Sequence, residues 1–211
     1  MDQVDVEGAL SQRLHHERTT RGWTLADLAA RSGVSRAMLS KIERREASPT
    51  ATLLGRLSAA FGLTMSQLFS PMENQPEKQP PMGAIARAQD QPVWRDPETG
   101  FVRRSLSPPD FSSPGFTSSG RSPLELVWGE LPPGARIAYP AASYAFIADQ
   151  QLVVVSGELT IAQGGVLHAL GAGDCLRFTC ADSEFRNPGA ARCRYVVALV
   201  RAGDRQGQAP A

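Results

Sequence analysis

The sequence predicts a multidomain chain, α-helical at its N-terminus and antiparallel β at its C-terminus, on three observations. Residues 24–46, TLADLAARSGVSRAMLSKIERRE, carry the cap, the apolar spacing and the glycine stop of two short helices joined by a tight turn. After Phe69 the composition changes abruptly to SPMENQPEKQPPMG, rich in proline, glutamine and charge. From Leu124 onward, apolar residues fall in short runs separated by glycine turns, the pattern of closely spaced strands. A length of 211 residues with 42% hydrophobic content fits one large or two small domains with ordinary cores.

The first helix of the pair starts at Thr24, an N-cap with Asp27 three residues on, which approximates a capping box. Leu25, Leu28 and Ala29 share one face. Gly33 stops the helix because glycine takes the left-handed conformation without penalty. Val34 can plug the angle between the helices, and Ser35 caps the second one, where Leu39 and Ile42 point inward. Its outer face carries Arg36, Ala37, Ser40, Lys41 and Arg44. Between Arg31 and Arg45 there are five basic residues (Arg31, Arg36, Lys41, Arg44, Arg45) against one acid, Glu43, a local balance of +4 in a chain of net charge +1. Helix, turn, and a second helix with a polar, basic outer face is the layout that places side chains in the major groove of DNA.

The run GVSRAMLSKIERREASPTATLLGRLSAAFG resembles the phage-repressor-like (lambda-repressor-like), or XRE-type, helix-turn-helix family, over about residues 8–70. The resemblance implies a five-helix domain. Helix one covers about 8–21 with Leu10 and Leu14 inward, and helices two and three cover 24–32 and 35–44. Helix four runs from Ser48-Pro49-Thr50 to Phe61 and ends at Gly62, and a short fifth helix holds Met65, Leu68 and Phe69. It further implies that Arg36, Ala37, Ser40 and Lys41 read bases, while Thr24, Ser35, Arg44 and Arg45 lie near phosphates. Arg45 departs from the family, which has glycine there. It is expected either to hold positive φ, at a cost of roughly 1 kcal/mol, or to add a phosphate contact.

The expected domains are 1–70 for DNA binding, 71–83 for an extended linker, and 84–203 for a β unit. Ala84 to Ala88 reads as a strand, and VWRDPETGFVRRSLS as a β-hairpin turning at Asp96–Gly100. DFSSPGFTSSGRSP reads as a loop. Then come LELVWGEL, ARIAY, QQLVVVSGELTIA, VLHALGAGDCLRF and CRYVVALVRA as strands, suggesting an antiparallel barrel or jelly roll.

LVVVSGELTI, GAGDCLRF and FRNPG resemble the cupin family over about 124–200. With the N-terminal unit, the chain is similar to regulators that join an XRE-type domain to a cupin jelly-roll sensor. Many cupins hold a metal through a His-x-His-x3-Glu pattern and a later His. Counting back from Gly157 puts those positions on Tyr144, Phe146 and Gln150, and counting back from the Asn of FRN puts the last on Ser183. None is a family ligand, and together they offer no strong donor to a first-row metal. His15 and His16 lie in the helical part, and His168 stands alone beside a GG turn. No metal and no cofactor are therefore expected. Tyr144, Phe146, Gln150, Arg177 and Ser183 are the candidate effector-binding residues. The alternative is that these aromatics fill the barrel as core. Arg136 and Arg186 are further candidates for an anionic ligand, and Glu184 for a basic one.

The three cysteines, Cys175, Cys180 and Cys193, form no CxxC pair. They read as small buried hydrophobes, with a redox-sensing thiol as the alternative. No apolar run reaches the length of a membrane span and no signal core is seen, so a cytoplasmic location is expected. The expected function is a non-enzymatic, sequence-specific transcriptional regulator, binding double-stranded operator DNA as a homodimer and sensing a small-molecule effector. Two alternatives accompany it: a metal-dependent cupin enzyme of oxidase or epoxidase type fused to the same DNA-binding fold, and a cupin that serves only as a dimerisation scaffold.

Overall fold

The computed structural model describes residues 5–69, 85–108 and 123–202. The expected linker 71–83 and nearly all of the expected loop 110–123 lie outside them.

Five helices come first: α1 Val6–Thr20, α2 Leu25–Ser32, α3 Arg36–Glu43, α4 Ala51–Phe61 and α5 Met65–Phe69. Their ends are chemically marked. Thr24 and Asp27 form the full reciprocal capping box, Ser35 caps α3 through Met38 N, and Thr50 caps α4 through Leu53 N. Gly33 and Gly62 close α2 and α4 in the left-handed conformation, φ 67° and 71°. Leu10, Leu14, Leu28, Val34, Leu39 and Ile42 are all buried where these helices meet.

The end of α3 is unusual. Arg45 N donates to Ile42 O and Glu46 N to Lys41 O, the paired bonds of a Schellman cap. Arg45 occupies the left-handed position at φ 61°, the only non-glycine with positive φ among the described residues. Its guanidinium pairs with Asp5 at 3.2 Å, and Asp5 also caps α1.

Ten strands follow: β1 Val93–Arg95, β2 Val102–Ser105, β3 Leu124–Leu131, β4 Arg136–Tyr139, β5 Ile147–Ser156, β6 Leu159–Gln163, β7 Val166–Leu170, β8 Cys175–Arg177, β9 Ser183–Arg186 and β10 Cys193–Arg201. All pairings are antiparallel. They build a six-stranded sheet, β1-β2-β3-β10-β5-β8, and a four-stranded sheet, β4-β9-β6-β7. Leu131, Leu152 and Val154 from the first sheet, and Ile137, Leu159, Ile161 and Phe185 from the second, are buried. Gly129 lets the Tyr195 ring lie where a Cβ would stand, 2.4 Å from it.

Three expectations are corrected. Residues 85–88 are not a strand; the segment is exposed and turns at 88–90. A 3-10 turn, Ala141–Tyr144, precedes β5 where no helical signal was read, because Pro140 and the small residues after it give neither alternation nor a helical period. Cys175 and Cys180 are exposed, and Cys193 alone is buried.

The helical and β parts share one continuous apolar core. Phe69 of α5 and Trp94 of β1 have ring centroids 5.8 Å apart. Asp96, 1% exposed, accepts from Ala51 N at the start of α4. Buried Arg103 donates to Ser66 Oγ at 2.7 Å, and Thr64 Oγ1 to Glu125 at 2.9 Å.

Candidate nucleic-acid interface and effector cavity

Two groups of residues are candidate sites: the outer face of α3, and a cavity in the β part.

On α3, Arg36, Ala37 and Lys41 are exposed and Ser40 is half-buried, while Leu39 and Ile42 face the core. Ser35, Arg44 and Arg45 are exposed beside them, and Thr24 is exposed at the start of α2. The Thr24 and Ser35 hydroxyls serve their own helix caps. Arg44 is held by Glu46 in a two-pronged pair at 2.7 and 2.8 Å and donates to Ser40. The Arg44 guanidinium is therefore engaged within the chain.

Glu43, the single acid in the basic segment, does not dilute this face. It turns back to α1, where Arg18 binds both its oxygens at 2.7 and 2.8 Å and His15 bonds one at 3.0 Å. Burial alone would raise the Glu43 pKa, but the hydrogen bonds from Arg18 and His15 win and hold it below the ordinary value. Ser11 Oγ adds a bond to Ile42 O at 2.8 Å. The inner side of α3 is thus fixed to α1, and its outer side is exposed. Sequence reading counted Glu43 as a charge on the basic segment; its partners lie 25 and 28 positions away and carry no local signal.

The cavity, of about 320 Å³, is lined by Tyr144, Gln150, Arg177, Phe178, Thr179 and Cys180 among others. Tyr144 is 7% and Gln150 4% exposed. The Tyr144 hydroxyl is buried without a directed hydrogen bond among the described residues, with Ser183 nearby. Burial pushes its pKa well up, so it is a neutral phenol. Arg177 stands exposed at the rim, paired with Asp149 at 2.8 Å.

Of the five candidate effector residues, Tyr144, Gln150 and Arg177 come together here. Phe146 does not: its ring covers Gly62 at the end of α4, 3.4 Å from where a Cβ would be. Counting back along a strand misplaced it, because β5 begins only at Ile147. Ser183 is buried and does not line the cavity, accepting from Gln163 at 2.8 Å and donating to Ala181 O. Cys180 and Thr179 were missed, since neither has a local pattern. Arg136 and Glu184 instead line a wider, open cleft of about 690 Å³ between α4 and the β part. His168 lies on β7 opposite Ile161.

The four positions that resemblance aligned with metal ligands do not fit a metal. A neutral buried phenol, a phenyl ring packed on α4, an amide and a hydroxyl already bonded twice provide no first-row donor set.

A helix-turn-helix family model, HTH_3, matches residues 14–68. The HTH-type transcriptional regulator SutR of Escherichia coli (strain K12) is 42% identical over 65 residues, 31% of this chain and 36% of that protein. The chain thus spans about a third of SutR. The uncharacterized HTH-type transcriptional regulator y4dJ of Sinorhizobium fredii (strain NBRC 101917 / NGR234) is 34% identical over 76 residues, 36% of this chain and 95% of that protein. In fold, the chain is similar to a crystal structure of an HTH_3 family transcriptional regulator from Vibrio cholerae, with a TM-score of 0.67 and 19% identity, covering 94% of this chain and 98% of the other. Among the described residues no helix is long and apolar enough to cross a membrane.

Proposed function

This chain belongs to the XRE-type helix-turn-helix family of DNA-binding transcriptional regulators, and on that premise we propose that it is a homodimeric regulator whose β part is a metal-free cupin sensor. The observation that carries the DNA half is the outer face of α3, where Arg36, Ala37 and Lys41 are exposed with Ser40 half-buried beside them, and Glu43 is turned back to Arg18 of α1. Arg36 and Lys41 suit guanine O6 and N7, and Ala37 suits a thymine methyl. Thr24, Ser35, Arg44 and Arg45 flank that face as phosphate contacts.

We take the two sheets as the halves of a cupin jelly roll and the 320 Å³ cavity as its effector site. The buried Tyr144 hydroxyl, with no directed hydrogen bond among the described residues, supports this, and Gln150 lines the same cavity. The effector is then a small polar molecule, oriented by the Tyr144 hydroxyl and the Gln150 amide and drawn in past Arg177. The chemistry is binding, with no catalytic step and no cofactor. Dimerisation is assigned to the outer face of the six-stranded sheet, where Leu124, Val153 and Val155 are 40–48% exposed.

Selection of bound duplexes from a random library tests the DNA half. An inverted repeat with half-sites about one helical turn apart is expected; no enrichment contradicts it. A thermal-shift screen with amino acids, polyamines, organic acids and divalent metals tests the sensor half. Stabilisation by one metabolite class is expected. Stabilisation by a metal alone would restore the metalloenzyme reading, and no shift with any compound would favour a dimerisation scaffold.

A further inference from the structure

We propose that the 3-10 turn Ala141–Tyr144 is the relay through which an occupant of the cavity acts on the DNA-binding helices. The proposal rests on the effector reading above and names the device that would regulate it. The turn is a wall shared by the two parts of the molecule. On one side Tyr144 lines the cavity, its ring edge-on to that of Phe178 at 6.1 Å. On the other side Ser143 Oγ donates to Gly55 O, in the middle of α4, at 2.9 Å.

Close approach makes this contact specific. A Cβ on Gly55 would lie 3.0 Å from Ser143 Oγ and 3.1 Å from the Tyr139 ring. Glycine is needed there so that the turn can seat against α4. The residues flanking the turn extend the grip. Thr52 Oγ1 donates to Ala138 O at 3.1 Å, and the Phe146 ring covers Gly62. α4 is therefore held by this one segment from its first turn to its C-terminal cap.

The cavity side is clamped as well. Ala141 N donates to Asp182 Oδ1 at 2.7 Å, and the Cys180 thiol donates to Ala141 O at 3.2 Å. Cys180 itself lines the cavity. A molecule that displaces Tyr144 or Cys180 cannot leave the turn in place, because packed contacts shift between discrete arrangements rather than stretching. Since α4 packs on α2, movement of the turn against α4 repositions the helix-turn-helix. The other bridges, Ala51–Asp96, Ser66–Arg103 and Thr64–Glu125, involve no residue that lines this cavity.

The test uses full-length protein with Cys175→Ser, leaving Cys180 as the exposed thiol. Benzyl methanethiosulfonate places a phenyl group in the cavity; methyl methanethiosulfonate controls for loss of the thiol hydrogen bond. The readout is amide hydrogen exchange, compared between the two labels. The benzyl label is expected to change exchange at 141–147 and at 51–61 by about fivefold or more relative to the methyl label. Ser143→Ala with Phe146→Ala should keep the first change and lose the second, and Ser143→Ala alone, which should shrink it, serves if the double variant does not fold. A change confined to 141–147, or one in α4 that survives these substitutions, overturns the relay and leaves the effector site standing. No difference between fully labelled proteins at 141–147 overturns the relay and the effector reading together.

Discussion

The backbone amide of Ala51, in the first turn of α4, donates to the carboxylate of Asp96 at 2.5 Å, across the boundary between helices and sheets. The same carboxylate accepts from Glu98 N and Thr99 N at 2.8 and 2.9 Å, so one buried side chain closes the β1–β2 turn and caps a helix of the DNA-binding part. Sequence reading treated the two parts as independent units joined by a linker; this bond and the shared core make them one packed body.

Asp96→Ala should therefore cost more than a typical turn substitution. It strands buried N–H donors at a helix N-terminus, where an anion is favoured. We expect a loss of about 2 kcal/mol or more in urea unfolding, with faster amide exchange in the first turn of α4. Unchanged stability would mean that water replaces the carboxylate.

Glu125 is the anion of a second buried bridge. It accepts from Thr64, lies 3.4 Å from Arg201, and offsets the charge of Arg103, whose burial drives its pKa down. Glu125→Ala leaves those cations under-compensated in the interior. About 3 kcal/mol of destabilisation is expected, and Glu125→Gln, which keeps an acceptor for Thr64, should lose less. Equal losses would show that charge does not matter at this contact.

Arg45→Gly separates backbone strain from function. Relief of the left-handed strain is worth roughly 1 kcal/mol, and the exposed pair with Asp5 at most about 1 kcal/mol in the other direction. Stability should be unchanged or higher, while DNA affinity falls and its salt dependence weakens. A variant that is less stable by more than 1 kcal/mol would show that the ion pair outweighs the strain.

Acid should loosen α3 from α1. The Glu43 pKa is depressed in the folded chain, so its contribution is complete above the ordinary Glu pKa, about 4.3. It is lost as pH falls through the lower folded value. Glu43→Gln should lower stability at pH 7 and flatten the acid limb of the pH–stability curve. Parallel acid limbs for variant and wild type would place acid lability elsewhere.

How much of this was legible depends on where each signal lies along the chain. Caps and stops are local, so Thr24, Ser35, Gly33 and Gly62 marked α2, α3 and the end of α4 to within a residue or two, and the left-handed Arg45 could be anticipated. The exposed face of α3 followed from helical spacing alone. Long-range relationships left no such trace. Nothing near Asp96 announces Ala51, and nothing near Ser143 announces Gly55. Of the candidate effector residues, Tyr144, Gln150 and Arg177 line one cavity, while Phe146 lies away from it because the chain turns before the strand begins. Cys175 and Cys180 were read as buried because cysteine usually is; a three-residue edge strand and a loop expose them.

α3 is the element proposed to read DNA. Lys41→Ala and His168→Ala proteins should be compared by titration against the duplex enriched from the random library, at two salt concentrations. Lys41→Ala should weaken binding by about 1–3 kcal/mol, with His168→Ala equal to wild type. Equal, negligible effects of the two substitutions would contradict the assignment of α3 as the recognition helix.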